Sequence, residues 1–357
     1  MPPPNNLVPI SDNNAAAYRL TIDARAPREY SDDHLPGASN LPVLNDLEYA
    51  EVGTLHRNDT HAAYHLGVRY ALTNIATHLP MVAAQVPRGG RILVYCFRGG
   101  KRSRLWCDAL QTIGYHVDRL QGGWKAYRHW VNQQLPLTAA RFTYHVLCGP
   151  TGCGKTRLLT ALRGQGAQAL DLEALANHRG SLIGAIPDSP QPSQKWFDST
   201  LLQALTAFEA NKPVWIEAES KKVGAMQLPT ALFTAMHAGR VYVVNAPMPE
   251  RVKLWREDYR HFEADPPWLI ERLRPLRPLV GADEFDAWEK LADAQHMPEL
   301  FQRLMERHYD PAYGRSISRN YPHLAGAQSI DLIALDPATL RAVAQGLTAD
   351  NGIPQSN

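Results

Sequence analysis

Arg91-Ile92-Leu93-Val94-Tyr95-Cys96-Phe97-Arg98-Gly99-Gly100-Lys101-Arg102-Ser103 is the stretch on which the fold turns. Its first five residues are a β-rich run that stops at Cys96. A helical pattern follows from about Ser103 to Ile113, closed by Gly114. The residues between them form a loop from strand to helix. In such a loop the backbone N–H groups converge on one point, and the helix N-terminus adds partial positive charge. Gly99 and Gly100 let the chain curl without steric cost. Arg98, Lys101 and Arg102 add cationic charge. This setting favours the thiolate of Cys96 and holds an anion beside it, an arrangement suited to covalent group transfer. A structural cysteine followed by a surface turn would leave three cations and two glycines unexplained.

The flanks read as α/β. Upstream, Leu20-Thr21-Ile22 is a short apolar run ending in Asp23. Downstream come a strand from Val117 to Leu120, a Gly122-Gly123 turn and a helix through Trp130. Strands alternating with helices imply a mostly parallel sheet. The polar stretch from Val131 to Arg141, with Pro136, reads as a junction between domains at 1–135 and 136–357. A second α/β unit follows, with strands at Tyr144–Leu147, Pro213–Ala218 and Arg240–Asn245. A helical part rich in Arg and Trp runs from Pro249 to Tyr309, and a last strand from Gln328 to Ile333.

The second unit opens on Gly149-Pro150-Thr151-Gly152-Cys153-Gly154-Lys155-Thr156, which fits G-x-x-x-x-G-K-[ST]. It follows an apolar strand and opens a helix, as a P-loop must. The amides of Gly149, Thr151, Gly152, Cys153 and Gly154 would cradle phosphate or diphosphate. Lys155 would reach the terminal phosphate, and Thr156 is placed to hold Mg²⁺. An acidic residue should end a neighbouring strand, and Val214 to Ser220 offers Glu217 and Glu219. An ordinary ATPase would have Asp there, so phosphate binding is expected more firmly than ATP hydrolysis. Both glutamates also have a plainer use in pairing with Lys221 and Lys222.

The 357 residues suggest two domains, with 45% hydrophobic and 20% charged residues, ordinary for a globular protein. No apolar run reaches the ~18 residues of a membrane span, and no secretory signal opens the chain. Four cysteines make no disulfide scaffold and suggest reduced thiols in a cytoplasmic setting. Cys107 reads as packing. Cys148 and Cys153 lack metal-ligand spacing, so no zinc site is expected. A net charge of +2 leaves nucleic-acid binding to local patches. Arg251, Lys253, Arg256, Arg260, Arg272, Arg274 and Arg277, with Trp255 and Trp268, make one candidate. Glu257, Asp258, Glu263, Asp265 and Glu271 are interleaved, so a salt-bridged helical face with Trp in the core fits as well.

Cys-x-x-Gly-x-x-Arg-Ser also matches the loop of cysteine-dependent phosphatases, though Tyr95 stands where those usually have His. The flanks resemble a rhodanese domain instead. They carry Asp23-Ala24-Arg25-Ala26-Pro27-Arg28-Glu29-Tyr30, then His34-Leu35-Pro36-Gly37-Ala38, and Leu120-Gln121-Gly122-Gly123-Trp124-Lys125-Ala126-Tyr127 after the loop. With the P-loop, the chain resembles the tRNA 2-selenouridine synthase family over nearly its whole length. Supporting stretches are Leu172 to Ser181, Glu217 to Gly224, and His308-Tyr309-Asp310-Pro311-Ala312-Tyr313. The resemblance implies a rhodanese-like parallel-sheet domain followed by a P-loop NTPase-like domain with a helical C-terminal part. It implies geranylation of wobble 2-thiouridine by geranyl diphosphate, then replacement of the geranylated sulfur by selenium from selenophosphate. Cys96 would take up and carry selenium, with Arg98, Gly99, Gly100, Lys101, Arg102 and Ser103 holding selenophosphate. The P-loop would hold the diphosphate, with ATP as the competing ligand. The partners implied are the tRNA anticodon stem-loop and a selenophosphate-supplying enzyme; His178 and Arg179 become candidate tRNA contacts through the resemblance, beside Arg272, Arg274 and Arg277 from the basic patch. No membrane partner and no tightly bound cofactor are expected. The rival readings are a rhodanese-type sulfurtransferase or cysteine phosphatase fused to an ATP-binding domain, and a non-catalytic module.

Overall fold

The computed structural model describes residues 6–10, 17–321 and 324–350. It divides into two compact units. One comprises Met1–Leu135 with Pro192–Thr206, the other Pro136–Gln191 with Ala207–Asn357.

The first unit is built on a five-stranded, all-parallel sheet. Its strands are β1 (Asn6–Val8), β2 (Leu20–Asp23), β3 (Ser39–Asn40), β4 (Arg91–Tyr95) and β5 (His116–Leu120), in the order β1-β5-β4-β2-β3. β4 is central, and from Ile92 to Tyr95 it is no more than 1% exposed. A strand covered on both faces reads as a continuous apolar run, which is how β4 stood out. Its carboxyl end delivers Cys96. The helix Lys101–Ile113 begins at Gly100 and ends on Gly114, which is left-handed. Its Trp106, Cys107 and Leu110 pack into the core with Ile22, Val94 and Val117. Cys107 therefore packs, as expected.

Two helices, Asp46–Asn58 and Thr60–Gln85, fill the span between β3 and β4. Each starts at a side-chain cap, Asn45 accepting from Glu48 N and Asp59 from Ala62 N. The segment 131–141, expected as a polar junction, is mostly helical, because the helix expected to end at Trp130 runs from Gly123 to Ala139. Pro136 sits in its last turn, where little ladder remains to be broken. Val131, Leu135 and Ala139 recur at helical spacing and are buried, which holds the segment in helix.

The second unit has another all-parallel sheet: β6 (Tyr144–Cys148), β7 (Gln168–Leu170), β8 (Val214–Glu217), β11 (Arg240–Asn245) and β12 (Gln328–Asp331), ordered β12-β11-β6-β8-β7. A small antiparallel pair, β9 (Lys222–Val223) and β10 (Met226–Gln227), lies outside it. β6 is buried throughout and sits where the chain switches from filling one side of the sheet to the other. Ligands of open parallel sheets bind at such points. The helices between Met248 and Asn320 close around a separate core that includes Trp255, Phe262, Trp288 and Phe301. Among the described residues, no helix is long and apolar enough to cross a membrane.

Candidate active site

Cys96 is buried at the carboxyl end of β4. Its sulfur accepts the Gly100 N–H at 3.2 Å and lies 3.3 Å from the Ser103 hydroxyl. That hydroxyl also donates to the Gly100 carbonyl at 3.1 Å. A single hydroxyl proton cannot serve both, so Ser103 is free to accept from a thiol or to donate to a thiolate. Behind the loop, Trp124 N–H donates to the Cys96 carbonyl (2.8 Å) and Lys125 N–H to the Phe97 carbonyl (3.0 Å). Gly123 makes this approach feasible. A Cβ there would stand 2.1 Å from the Cys96 oxygen, at a φ of +59°.

The three loop cations are not equivalent. Arg102 forms a bidentate pair with Glu29, at 2.6 and 3.3 Å. Lys101 lies over the Tyr64 ring, 3.4 Å from its centroid. Arg98 is exposed, with its guanidinium 5.6 Å from the Phe97 ring centroid. Arg102 therefore helps to hold the loop, and Arg98 and Lys101 are the loop cations that remain exposed.

The P-loop follows β6. Gly149 approaches β11 so closely that a Cβ would meet the Val244 oxygen at 2.2 Å. Lys155 Nζ donates to the Gly149 carbonyl at 2.9 Å and the Pro150 carbonyl at 3.4 Å. The Gly149 N–H donates to the Tyr313 hydroxyl at 2.9 Å. Arg251 donates twice to the Thr151 carbonyl, at 2.9 and 2.7 Å, and pairs with Asp310 at 2.6 Å. Arg251 is thus a buried brace of the P-loop. Its expected place in a basic surface patch is corrected, and Trp255, 2% exposed, is core.

A cavity of about 500 Å³ opens beside Lys155 and Thr156. One wall is acidic. Glu217 ends β8, Glu219 follows it, and Glu173 comes from the short helix Leu172–Ala176, capped by Asp171. One oxygen from each of the three lies within 4.8 Å of the others, and Thr156 Oγ1 is 3.5 Å from Glu173. Burial pushes all three carboxyls above their usual range, and mutual repulsion raises Glu173 and Glu219 further. Burial opposes the charge on Lys155, yet the same carboxylates help to raise its pKa. Glu217 Oε1 is buried with no hydrogen-bond partner. The same cavity is also lined by the aromatic side chains of Trp255, Tyr259, Tyr309, Tyr313 and Tyr321.

The structure brings Glu217 and Glu219 to the P-loop and adds Glu173, which sequence reasoning missed. Glu173 stands in the same stretch, Leu172 to Ser181, as His178 and Arg179, but nothing in its local pattern set it apart from an ordinary helix carboxylate. His178 is buried and accepts the Gly180 N–H at 3.1 Å. Arg179 lies over Tyr259, and its Nη1 is buried without a partner. Both line the cavity. Arg272, Arg274 and Arg277 do not line it. Arg272 lies over Trp268, Arg274 pairs with Glu271, and Arg277 with Asp286.

Residues 142–265 match the family model of the tRNA 2-selenouridine synthase AAA domain, and residues 9–129 that of the rhodanese-like domain. A tRNA 2-selenouridine synthase of Hydrogenovibrio crunogenus is 33% identical over 322 residues, 82% of this chain and 87% of that one. One from Chromohalobacter salexigens is 32% identical over 326 residues, 84% and 88% of the two chains. One from Nitrosomonas europaea is 38% identical over 247 residues, 67% and 63% of the two.

Proposed function

Because the chain belongs to the tRNA 2-selenouridine synthase family, we propose that it turns wobble 2-thiouridine of tRNA into 2-selenouridine, using two chemically different sites. In the first step the thiocarbonyl sulfur attacks C1 of geranyl diphosphate. A carbon–sulfur bond forms, a carbon–oxygen bond breaks, and diphosphate leaves. In the second step selenium from selenophosphate bonds to C2 of the base, the sulfur departs as geranylthiol with a proton, and phosphate is released to water. Alkylation makes this exchange feasible, because a thiolate leaves where a thiocarbonyl sulfur does not.

The observation that carries the reading is the make-up of the cavity beside Lys155. A phosphate cradle and aromatic side chains line the same space. A diphosphate on a short apolar chain needs both. The P-loop amides and Lys155 hold the diphosphate and stabilise it as it leaves. The aromatic side chains take the geranyl chain, and Arg179, with an unpartnered nitrogen, faces the ligand. Thr156, Glu173, Glu217 and Glu219 fit a small divalent cation such as Mg²⁺. Their oxygens are close enough, and Glu217 Oε1 lacks any other partner. When bound, the cation supplies charge to neutralise the diphosphate. Arg98 and the loop amides hold selenophosphate, and the Cys96 thiolate attacks its phosphorus. A sulfur–phosphorus bond forms and the selenium–phosphorus bond breaks. Selenide leaves to attack C2 of the base, and water then hydrolyses the phosphocysteine to phosphate. The anticodon stem-loop is the part of tRNA engaged, the enzyme works in the cytoplasm, and a selenophosphate-supplying enzyme acts upstream.

Nucleoside mass spectrometry tests this. After incubation of 2-thiouridine tRNA with geranyl diphosphate and selenophosphate, the wild type should yield 2-selenouridine. Cys96→Ala should stop at S-geranyl-2-thiouridine. Unchanged selenation by that variant would remove Cys96 from the chemistry.

A further inference from the structure

The helix Gln194–Thr206 lies within the stretch matched to the P-loop family domain, yet it packs as part of the unit that carries Cys96. Its attachment there is specific. Ser199, 1% exposed, donates to Asp33 Oδ1 at 2.7 Å, and Asp33 is itself fully buried. The other oxygen of Asp33 accepts the Trp124 indole N–H at 2.8 Å. Trp124 stacks on Phe97, with ring centroids 5.5 Å apart, and its backbone N–H holds the Cys96 carbonyl at 2.8 Å. Arg25, buried and paired with Asp23, donates to the Asp33 carbonyl at 2.6 Å and lies over the Trp124 ring. Around this centre, Trp196 stacks on His34, Lys195 pairs with Asp32, and Arg128 pairs with Asp198.

We infer that Ser199 and Asp33 are positioning residues for Cys96, acting through Trp124. The carboxylate of Asp33 fixes the indole from below. The indole fixes Phe97, and the Trp124 amide fixes the carbonyl of Cys96. The Cys96–Gly100 backbone, whose amides meet the sulfur and the anion, is thereby held from a helix supplied by a distant part of the sequence. Without the Ser199 hydroxyl, a buried carboxylate loses one of its two side-chain donors, and the indole it holds is free to shift.

The functional half of this inference rests on the reading that selenation depends on Cys96, but its structural half does not. Two readouts separate them. Hydrogen–deuterium exchange of the peptide covering 96–103 should rise about fivefold in Ser199→Ala and in Asp33→Asn, the change expected for one buried hydrogen bond. It should stay at the wild-type level in Ser199→Thr, which keeps the hydroxyl, and in Thr206→Ala, at the exposed end of the same helix. On pre-geranylated tRNA, the selenation kcat of Ser199→Ala should fall about tenfold at unchanged KM for selenophosphate, while geranylation stays at the wild-type rate. Unchanged exchange at 96–103 overturns the proposal whatever the enzyme does. Raised exchange with wild-type selenation overturns the positioning role. A wild type that makes no 2-selenouridine overturns the proposed function and leaves the exchange result standing.

Discussion

Glu173, Glu217 and Glu219 converge where burial disfavours charge, with Lys155 beside them. Their carboxyls are pushed from a usual 4.5 to about 9, 7 and 8 respectively. A carboxyl raised in the folded state binds protons more tightly there than when unfolded. The stability this cluster contributes therefore falls as pH rises through the window from about 4.5 to about 9 and changes no further beyond it. Glu173→Gln removes one charge and relieves its neighbours. Thermal melts without divalent cations should show this variant a few degrees more stable than the wild type at pH 8.5, with the gap closing by pH 5. Equal melting temperatures at pH 8.5 would mean the cluster carries no electrostatic strain. With excess Mg²⁺ the order should reverse, because the variant loses a ligand. At Lys155 the expected outcome concerns the ligand. Lys155→Ala should weaken geranyl diphosphate binding at least tenfold in calorimetry, the loss of a charge-assisted contact. Equal affinity in both proteins would remove the diphosphate from the P-loop. Lys155, Thr156 and Cys96 were legible because strand, glycines and cation are contiguous in the sequence. Glu173 was not, since nothing local marks a carboxylate that meets its partners only once the chain has folded.

Elements that announce themselves are those whose local chemistry is self-sufficient. The strands β4 and β6 are apolar runs cut off by glycine loops, and both were found within a residue or so. The helix Gly123–Ala139 was misread at its end because Pro136 and polar neighbours outweighed the buried stripe of Val131, Leu135 and Ala139. The helix Gln194–Thr206 belongs to the cysteine unit through Ser199, Trp196 and Asp198, a placement with no local signal at all. The motif His308 to Tyr313 was recognised as a string but not as a support. A π-helical turn over Met305–Tyr309 leads into the helix Asp310–Asn320, and together they place Tyr309, Asp310 and Tyr313 at the P-loop. Asp310 holds Arg251, and Arg251 holds the Thr151 carbonyl. Arg251→Ala strands the carboxylate and the carbonyl together. Urea unfolding should show a loss of about 3 kcal/mol, the usual cost of breaking a buried pair from one side. Arg251→Met with Asp310→Leu should recover part of that stability without restoring ligand binding. A loss under about 1 kcal/mol in the single variant would mean the brace is not part of the fold's support.

Over the whole molecule the net charge is only +2, so affinity for a polyanion has to come from where the cations sit. Arg251 is spent on the P-loop and Arg102 on Glu29, and Arg256 faces Glu263. What remains for the tRNA backbone includes Arg272, Arg274 and Arg277, solvent-facing and proposed as contacts. Arg274 and Arg277 already face Glu271 and Asp286, so a phosphate has to displace a carboxylate at each. That exchange makes them weaker contributors than free cations. Each phosphate neutralised by a basic side chain on a duplex adds about 0.9 to the slope of log affinity against log salt. Three unpaired arginines would together contribute nearly three units. With two of them competing against carboxylates, Arg272/Arg274/Arg277→Ala should flatten the slope by about one to two units and weaken binding severalfold at low salt. The same substitutions should leave geranyl diphosphate binding intact, since none of the three lines the cavity. Filter binding of tRNA across a salt series would read both slopes, and coincident slopes for wild type and variant would move the tRNA footprint off this face.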